Sequence, residues 1–206
     1  DLAELLAGLK EIEGEFRLRV GMMNPMGVKR MLERLLSSYS DPRIYKFFHI
    51  PVQSGSNNVL RDMRRGYSAE DFERIVSSIR NRYPLSTVAT DLMIGFPTED
   101  EEDFEMTLSL VEKTKPEVVN ISKYGPRPGT PASKMRQLPP EVVKRRSRIL
   151  SELCMKLKLE RNLELVGREF RVLVTEKTRK GYQGRTDFYR PVALGEDSLE
   201  LGAFYH

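Results

Sequence analysis

Thr87 to Lys113 read TVATDLMIGFPTEDEEDFEMTLSLVEK, and this stretch decides the fold. Residues 87–94 form an apolar, β-branched run interrupted only by Asp91 and stopped by Gly95, the pattern of a buried strand. Beyond Pro97, Thr98 with Glu101 three residues later predicts a capping box, and Phe104, Leu108 and Val111 mark one apolar face of a helix over residues 98–113. A buried strand turned sharply into an amphipathic helix is half of a parallel crossover unit.

The same alternation extends outward in both directions. Upstream, residues 16–22 and 44–52 read as strands. Residues 27–38 read as a helix with Val28, Met31, Leu32 and Leu35 at helical spacing. Helical pieces are expected over 57–63 and 69–82, the second closed by Pro84. Downstream, residues 117–122 make a further strand. The segment 124–131, with three prolines and two glycines, is a long loop. A helix over 140–165 follows, with proline in its first turn and Gly167 just past its end. Gly167 is the expected boundary between a domain of residues 1–166 and one of residues 167–206. In the second, residues 169–175 and 188–194 read as strands and 181–185 as turn. The expected fold class is therefore α/β, a parallel sheet with helical crossovers followed by a small β module.

Charged residues make up 31% and the hydrophobic class 39% of the 206 residues, a globular balance. No apolar run reaches the eighteen or so residues of a membrane span, so no membrane partner is expected. One cysteine, Cys154, cannot build an internal disulfide framework and fits a reducing, cytoplasmic setting. It lacks partners at ligand spacing for zinc or an iron–sulfur cluster. Net charge is +4, and the cations gather late in the chain. Lys144, Arg145, Arg146 and Arg148 crowd one helix. Arg171, Lys177, Arg179, Lys180, Arg185 and Arg190 interleave with Tyr182, Phe188 and Tyr189, a mixture suited to phosphate contacts and base stacking. A solvated basic face is the competing interpretation.

Ligands of parallel α/β folds bind where the loops converge, at the carboxyl ends of the strands. Four such ends carry unusual residues: 23–25, 53–56, 95–98 and 124–127. Gln53, Ser54 and Ser56 offer donors and acceptors around Gly55, whose bare backbone allows close approach of a ligand, although serine there also suits a helix cap. Asp91 in its apolar strand suits a ribose diol or a cationic amine, or a capping role in the strand. Arg65 could clamp a carboxylate or be one more solvated charge. His49, inside an apolar strand, reads as a hydrogen-bonded core histidine, and the acids of 99–103 as a favourable first helical turn.

Three segments taken together, HIPVQSGS at 49–56, DLMIGFPTE at 91–99 and RPGTPA at 127–132, resemble those of the radical S-adenosylmethionine methylthiotransferases in order and spacing. The wording around Tyr67, residues 89–91 and 124–127 is most similar to the archaeal and eukaryotic branch, which modifies threonylcarbamoyladenosine beside the tRNA anticodon. The resemblance implies the later strands of a partial parallel (βα) barrel of radical SAM type, then an incomplete RNA-binding module resembling TRAM. It implies S-adenosylmethionine contacts from Gln53, Ser54, Arg65, Thr90, Asp91, Gly95 and Pro97, and tRNA contacts from Arg171, Lys177, Arg179, Lys180 and Arg185.

In the family, one 4Fe-4S cluster cleaves S-adenosylmethionine to a deoxyadenosyl radical, a second supplies sulfur, and another S-adenosylmethionine supplies methyl. The three-cysteine motif of the first cluster is not in this chain. The resemblance thus implies a fragment that ligates neither cluster, is inactive alone, and leaves a sheet edge open to homo-association. A methylthiotransferase acting on a ribosomal protein and a non-catalytic RNA-binding protein on the same scaffold are the alternatives.

Overall fold

The computed structural model describes residues 1–195 and 198–206. Its helices are α1 (Leu2–Gly8), α2 (Pro25–Ser38), α3 (Asn57–Asp62), α4 (Ala69–Arg82), α5 (Glu101–Thr114) and α6 (Pro140–Leu163). Its strands are β1 (Phe47–His49), β2 (Thr87–Ile94), β3 (Val118–Lys123), β4 (Val172–Thr178), β5 (Gly181–Thr186), β6 (Pro191–Leu194) and β7 (Phe204–Tyr205).

The first three strands form a parallel sheet in the order β1-β2-β3, with Phe47 opposite Thr87 and Asp91 opposite Asn120. Strand alternation sorts β2 into two faces. Val88, Leu92 and Ile94 join a core built with Phe72, Ile75 and Ile79 of α4, Phe104 and Val111 of α5, and Leu150 and Leu157 of α6. Ala89, Asp91 and Met93 point the other way, into the concave side of the partial barrel. Burying each of those large apolar side chains contributes roughly 1.5–3 kcal/mol, which is why the helices lie on one face of the sheet.

The segment expected as a strand over 16–22 pairs with its neighbour at only two points, Leu18 with Ile44 and Met22 with His49, both parallel. The ladder is diverted between them. Lys46 N donates to the Asp187 carbonyl of the β module, and Phe47 N to Tyr45 O. Strand β1 is correspondingly shorter than expected, although Ile50 N and Gln53 N still donate to Ala89 O and Asp91 O of β2. Helix α5 starts later than Thr98: Asp100 is the N-cap and shares a capping box with Asp103.

In the β module the order is β6-β5-β4-β7, all antiparallel, with a bulge between Val174 and Glu176. Residues 181–186 form a strand, not the turn their glycines suggest. A Cβ at Gly184 would lie 2.3 Å from Val172 Cγ1, so glycine there lets two strands close together, and the turn falls at Arg179–Lys180 instead. Val174, Tyr182 and Leu199 form its small core.

The module is tied to the amino-terminal ends of the parallel strands. Thr87 Oγ1 donates to Phe188 O at 2.6 Å, and Arg190 Nη1 to Asn162 Oδ1 of α6 at 2.7 Å. Tyr189, at φ +62°, packs its ring on Tyr45 and Phe47, between the guanidinium groups of Arg19 and Arg185. Tyr189 is half-buried there, and Phe188 and Tyr182 are buried. The tail aromatics expected as base-stacking platforms are therefore spent on the module's core and its seam with the barrel.

Candidate cofactor site at the barrel mouth

A cavity of about 780 Å³ opens at the carboxyl ends of β2 and β3. Its wall combines Arg61 to Arg65 at the end of α3 and just beyond it, Met93 near the end of β2 and Phe96 past it, Ser122 and Lys123 of β3 with Tyr124 and Gly125 after them, and the proline-rich loop through Met135. Two polar atoms in this wall, Arg65 Nε and Tyr124 Oη, are buried without a hydrogen-bond partner. A buried donor without a partner costs about 1–3 kcal/mol, so both atoms are better served by a ligand that bonds to them. A guanidinium and a phenol in one cavity wall suit a ligand carrying a carboxylate and other polar atoms.

The other expected site residues divide by where the backbone sends their side chains. Asp91 faces the concave side, where its Oδ1 accepts from Asn120 Nδ2 at 2.8 Å and pairs with His49 Nε2 at 2.9 Å. His49 is thus hydrogen-bonded as expected, but to a carboxylate beside the mouth and not within the helical core. Gln53 sits at φ +74°, an uncommon conformation for a side-chain-bearing residue. It is pinned there by bonds on both sides to β2, Gln53 N to Asp91 O and Met93 N to Gln53 O. Gly95, at φ +84°, turns the chain out of β2, and its N–H donates to Glu99 Oε2. Pro97 lies half-buried in that turn.

Ser54 and Thr90 present no free side chain to a ligand. Thr90 Oγ1 donates to Ile50 O and accepts from Val52 N, holding the end of β1 to β2. Ser54 Oγ accepts from Ser56 N and lies 3.4 Å from Thr107 Oγ1 of α5. Ser56 caps α3 and donates to Asp103 Oδ1. Gly55 is small for the sake of this same packing: a Cβ there would sit 2.4 Å from Met106 O. The close approach it permits is to helix α5, not to a ligand.

Tyr124 belongs to the strand-end segment 124–127 expected at the rim, though with no role of its own, whereas Asn120 carries no site expectation from the sequence. A signal existed for Asn120, since Asn120 and Ser122 alternate with Val119 and Ile121 and so mark a polar concave face on β3.

Among the described residues no group of three His, Cys, Asp or Glu side chains could hold a metal ion. Cys154 is half-buried on α6, and burial pushes its thiol up to about 11. The groups present do not fit an iron–sulfur cluster.

The five tail cations expected to touch nucleic acid also part company. Lys177, Arg179 and Lys180 stand exposed on β4 and its hairpin turn. Arg171 lies 3.8 Å over the Phe204 ring, and Arg185 is half-buried over Tyr189.

Residues 1–111 match the family model described as the radical SAM superfamily. The chain belongs to the radical SAM superfamily. It is similar to the solved structure of a radical SAM enzyme, coproporphyrinogen III oxidase from Escherichia coli. The TM-score is 0.60 at 15% identity, over 88% of this chain and 44% of that one, a likeness of fold. A probable threonylcarbamoyladenosine tRNA methylthiotransferase of Archaeoglobus fulgidus is 47% identical over 95% of this chain and 47% of its own length. The threonylcarbamoyladenosine tRNA methylthiotransferase of Drosophila melanogaster is 42% identical over 100% of this chain and 37% of its own. The chain thus spans half or less of the length of these curated relatives. Membership of the superfamily implies S-adenosylmethionine and a 4Fe-4S cluster. Of the two, the radical SAM mouth fits the first, through its cavity and the unpartnered Arg65 and Tyr124 atoms. No helix among the described residues is long and apolar enough to cross a membrane.

Proposed function

We propose that this chain is the cofactor-pocket and RNA-gripping part of a tRNA methylthiotransferase that modifies threonylcarbamoyladenosine next to the anticodon. The observation that carries the reading is the 47% identity to an archaeal relative of that name, which runs through barrel and β module alike over 95% of the chain.

In this reading S-adenosylmethionine, when bound, would supply hydrogen-abstracting radical chemistry and a methyl group for an adenine ring. The residues here bind and orient it. Arg65 takes the carboxylate, and Tyr124 Oη in the same wall bonds another polar atom of the ligand. Asp91, held by His49 and Asn120, takes a ribose hydroxyl or the amine. Gln53, whose carbonyl accepts from Met93 N, and Gly95 and Pro97, which flank Phe96, position two residues of the cavity wall, while Ser54 and Thr90 contribute through the backbone they hold in place. The ligands of both 4Fe-4S clusters lie in parts of the full-length enzyme other than this chain, so the chain alone is inactive. Gly167, at φ +79°, divides the barrel domain from the RNA module, and Lys177, Arg179 and Lys180 give that module its phosphate contacts. The setting is cytoplasmic. The concave edge near exposed Met22 offers a route to self-association.

The test is genetic. Cells lacking the endogenous modification receive the full-length gene, and their tRNA is hydrolysed and its nucleosides weighed by mass spectrometry. Return of a methylthio group to threonylcarbamoyladenosine is expected. The same group found on a ribosomal protein, with tRNA unchanged, would move the activity to a protein substrate.

A further inference from the structure

The mouth cavity is strongly basic. Arg61, Arg64, Arg65, Lys123 and Arg127 line it against one acid, Asp62. Lys123, at the end of β3, also lines a second groove of about 530 Å³ that runs onto the first half of α6. In that groove Lys144, Arg145 and Arg148 accompany it, with Glu141 the one acid. The two concavities therefore meet at Lys123, making a continuous basic path from the mouth over the sheet edge to α6.

The cations of α6 are not equivalent. Arg146 is buried, bonded to Glu99 and Glu101, and Arg145 Nη2 lies 2.9 Å from Glu101. Their charge is spent within the fold. Lys144 and Arg148 point into the groove, one helical turn or about 6 Å apart along the axis. Arg148 is 74% exposed, and among the described residues its one contact with an acid is a loose 3.9 Å approach to Glu152. An exposed contact of that length contributes little. Among the described residues neither Lys123 nor Lys144 forms an ion pair within 4 Å. Cations kept free in a row that begins at a ligand cavity suit a linear polyanion whose one unit enters the cavity.

We infer that the path Lys123–Lys144–Arg148 holds the phosphates of the RNA strand flanking the nucleoside that enters the mouth. It is a second RNA-binding surface on the barrel, separate from the hairpin of the β module. The inference rests on the tRNA reading above and adds which face of the barrel the RNA crosses.

The test uses the full-length protein and an unmodified tRNA transcript, with affinity followed by fluorescence anisotropy across a salt series. The double variant Lys144→Glu/Arg148→Glu should bind at least tenfold more weakly near physiological salt. Its slope of log affinity against log salt should fall by about 1.4, the loss of two single-strand phosphate contacts. Its S-adenosylmethionine binding by equilibrium dialysis and its melting temperature should match the wild type. Lys144→Gln/Arg148→Gln should show the same slope change with a smaller loss of affinity. Unchanged affinity and slope in both variants, with binding lost in Lys177→Glu/Lys180→Glu, would overturn the path and leave the tRNA reading standing. Failure of the wild type to bind tRNA would remove both.

Discussion

Arg146 Nη1 lies 2.7 Å from Glu99 Oε1, and the two side chains are 4% and 1% exposed. The other oxygen of Glu99 accepts the Gly95 N–H, so this ion pair joins α6 to the turn at the barrel mouth. Breaking a buried pair from one side leaves the remaining charge unsolvated, at a cost of about 3–5 kcal/mol. Arg146→Met is expected to lose that much stability at neutral pH in urea denaturation. Burial raises the Glu99 carboxyl above its ordinary value even with Arg146 in place. A carboxyl with a raised folded value destabilises when ionised, so the variant's deficit should shrink as pH falls toward the ordinary carboxylate range.

Asp41 gives pH dependence of the opposite sign. Its carboxylate accepts from Nε and Nη2 of Arg43, whose guanidinium also reaches the carbonyls of Leu9, Lys10 and Ile12 and so ties the segment after α1 to the loop before β1. The hydrogen bond from Arg43 holds Asp41 down to about 2. A depressed carboxylate stabilises the fold above its unfolded value and loses that contribution as pH falls through the folded one. Asp41→Asn should cost about 1 kcal/mol at pH 7, allowing for solvent around the pair, and nothing measurable near pH 2. Thermal unfolding of both proteins across the acid range checks this.

Tyr189 tests the seam between barrel and module. Its ring packs on Tyr45 and Phe47 while its backbone sits at φ +62°. Tyr189→Ala should lose about 2–3 kcal/mol and expose the chain near Gly167 to limited proteolysis. Glycine also removes the ring but accepts the left-handed backbone, so Tyr189→Gly should be about 1 kcal/mol less damaging than alanine. Equal losses for the two would mean that the backbone there carries no strain.

Much of this was legible in the sequence because period and punctuation agreed. Residues 69–82 and 87–94 form α4 and β2 with the bounds their patterns set, since each has one apolar face and a clear stop. Where a residue's reason is tertiary, local pattern misleads. Gly184 looks like turn chemistry but makes room for Val172, and Gly55 makes room for Met106, neither of them near in sequence. Phe188 and Tyr189 look like an RNA surface because nothing local reveals that Thr87, Tyr45 and Phe47 cover them. The cofactor residues were legible as strand ends, but strand alternation separates Asp91, on the concave face, from Thr90, whose hydroxyl is bonded among the strands.

Cys154, half-buried on α6, should react slowly. With its pKa pushed up to about 11 by burial, little thiolate is present at neutral pH. Alkylation by iodoacetamide at pH 7.5 should be at least tenfold slower in the folded protein than in urea, whereas equal rates would show an open, reactive site.

The most direct measurement incubates the full-length protein, with its clusters reconstituted, with reductant, unmodified-at-sulfur tRNA and S-adenosylmethionine labelled in its methyl group. The tRNA nucleosides are then resolved by mass spectrometry. The account predicts label on a methylthio group of threonylcarbamoyladenosine, with the yield at limiting S-adenosylmethionine reduced at least tenfold in Arg65→Ala. Label absent from every tRNA nucleoside, while the cofactor is still cleaved, would contradict it.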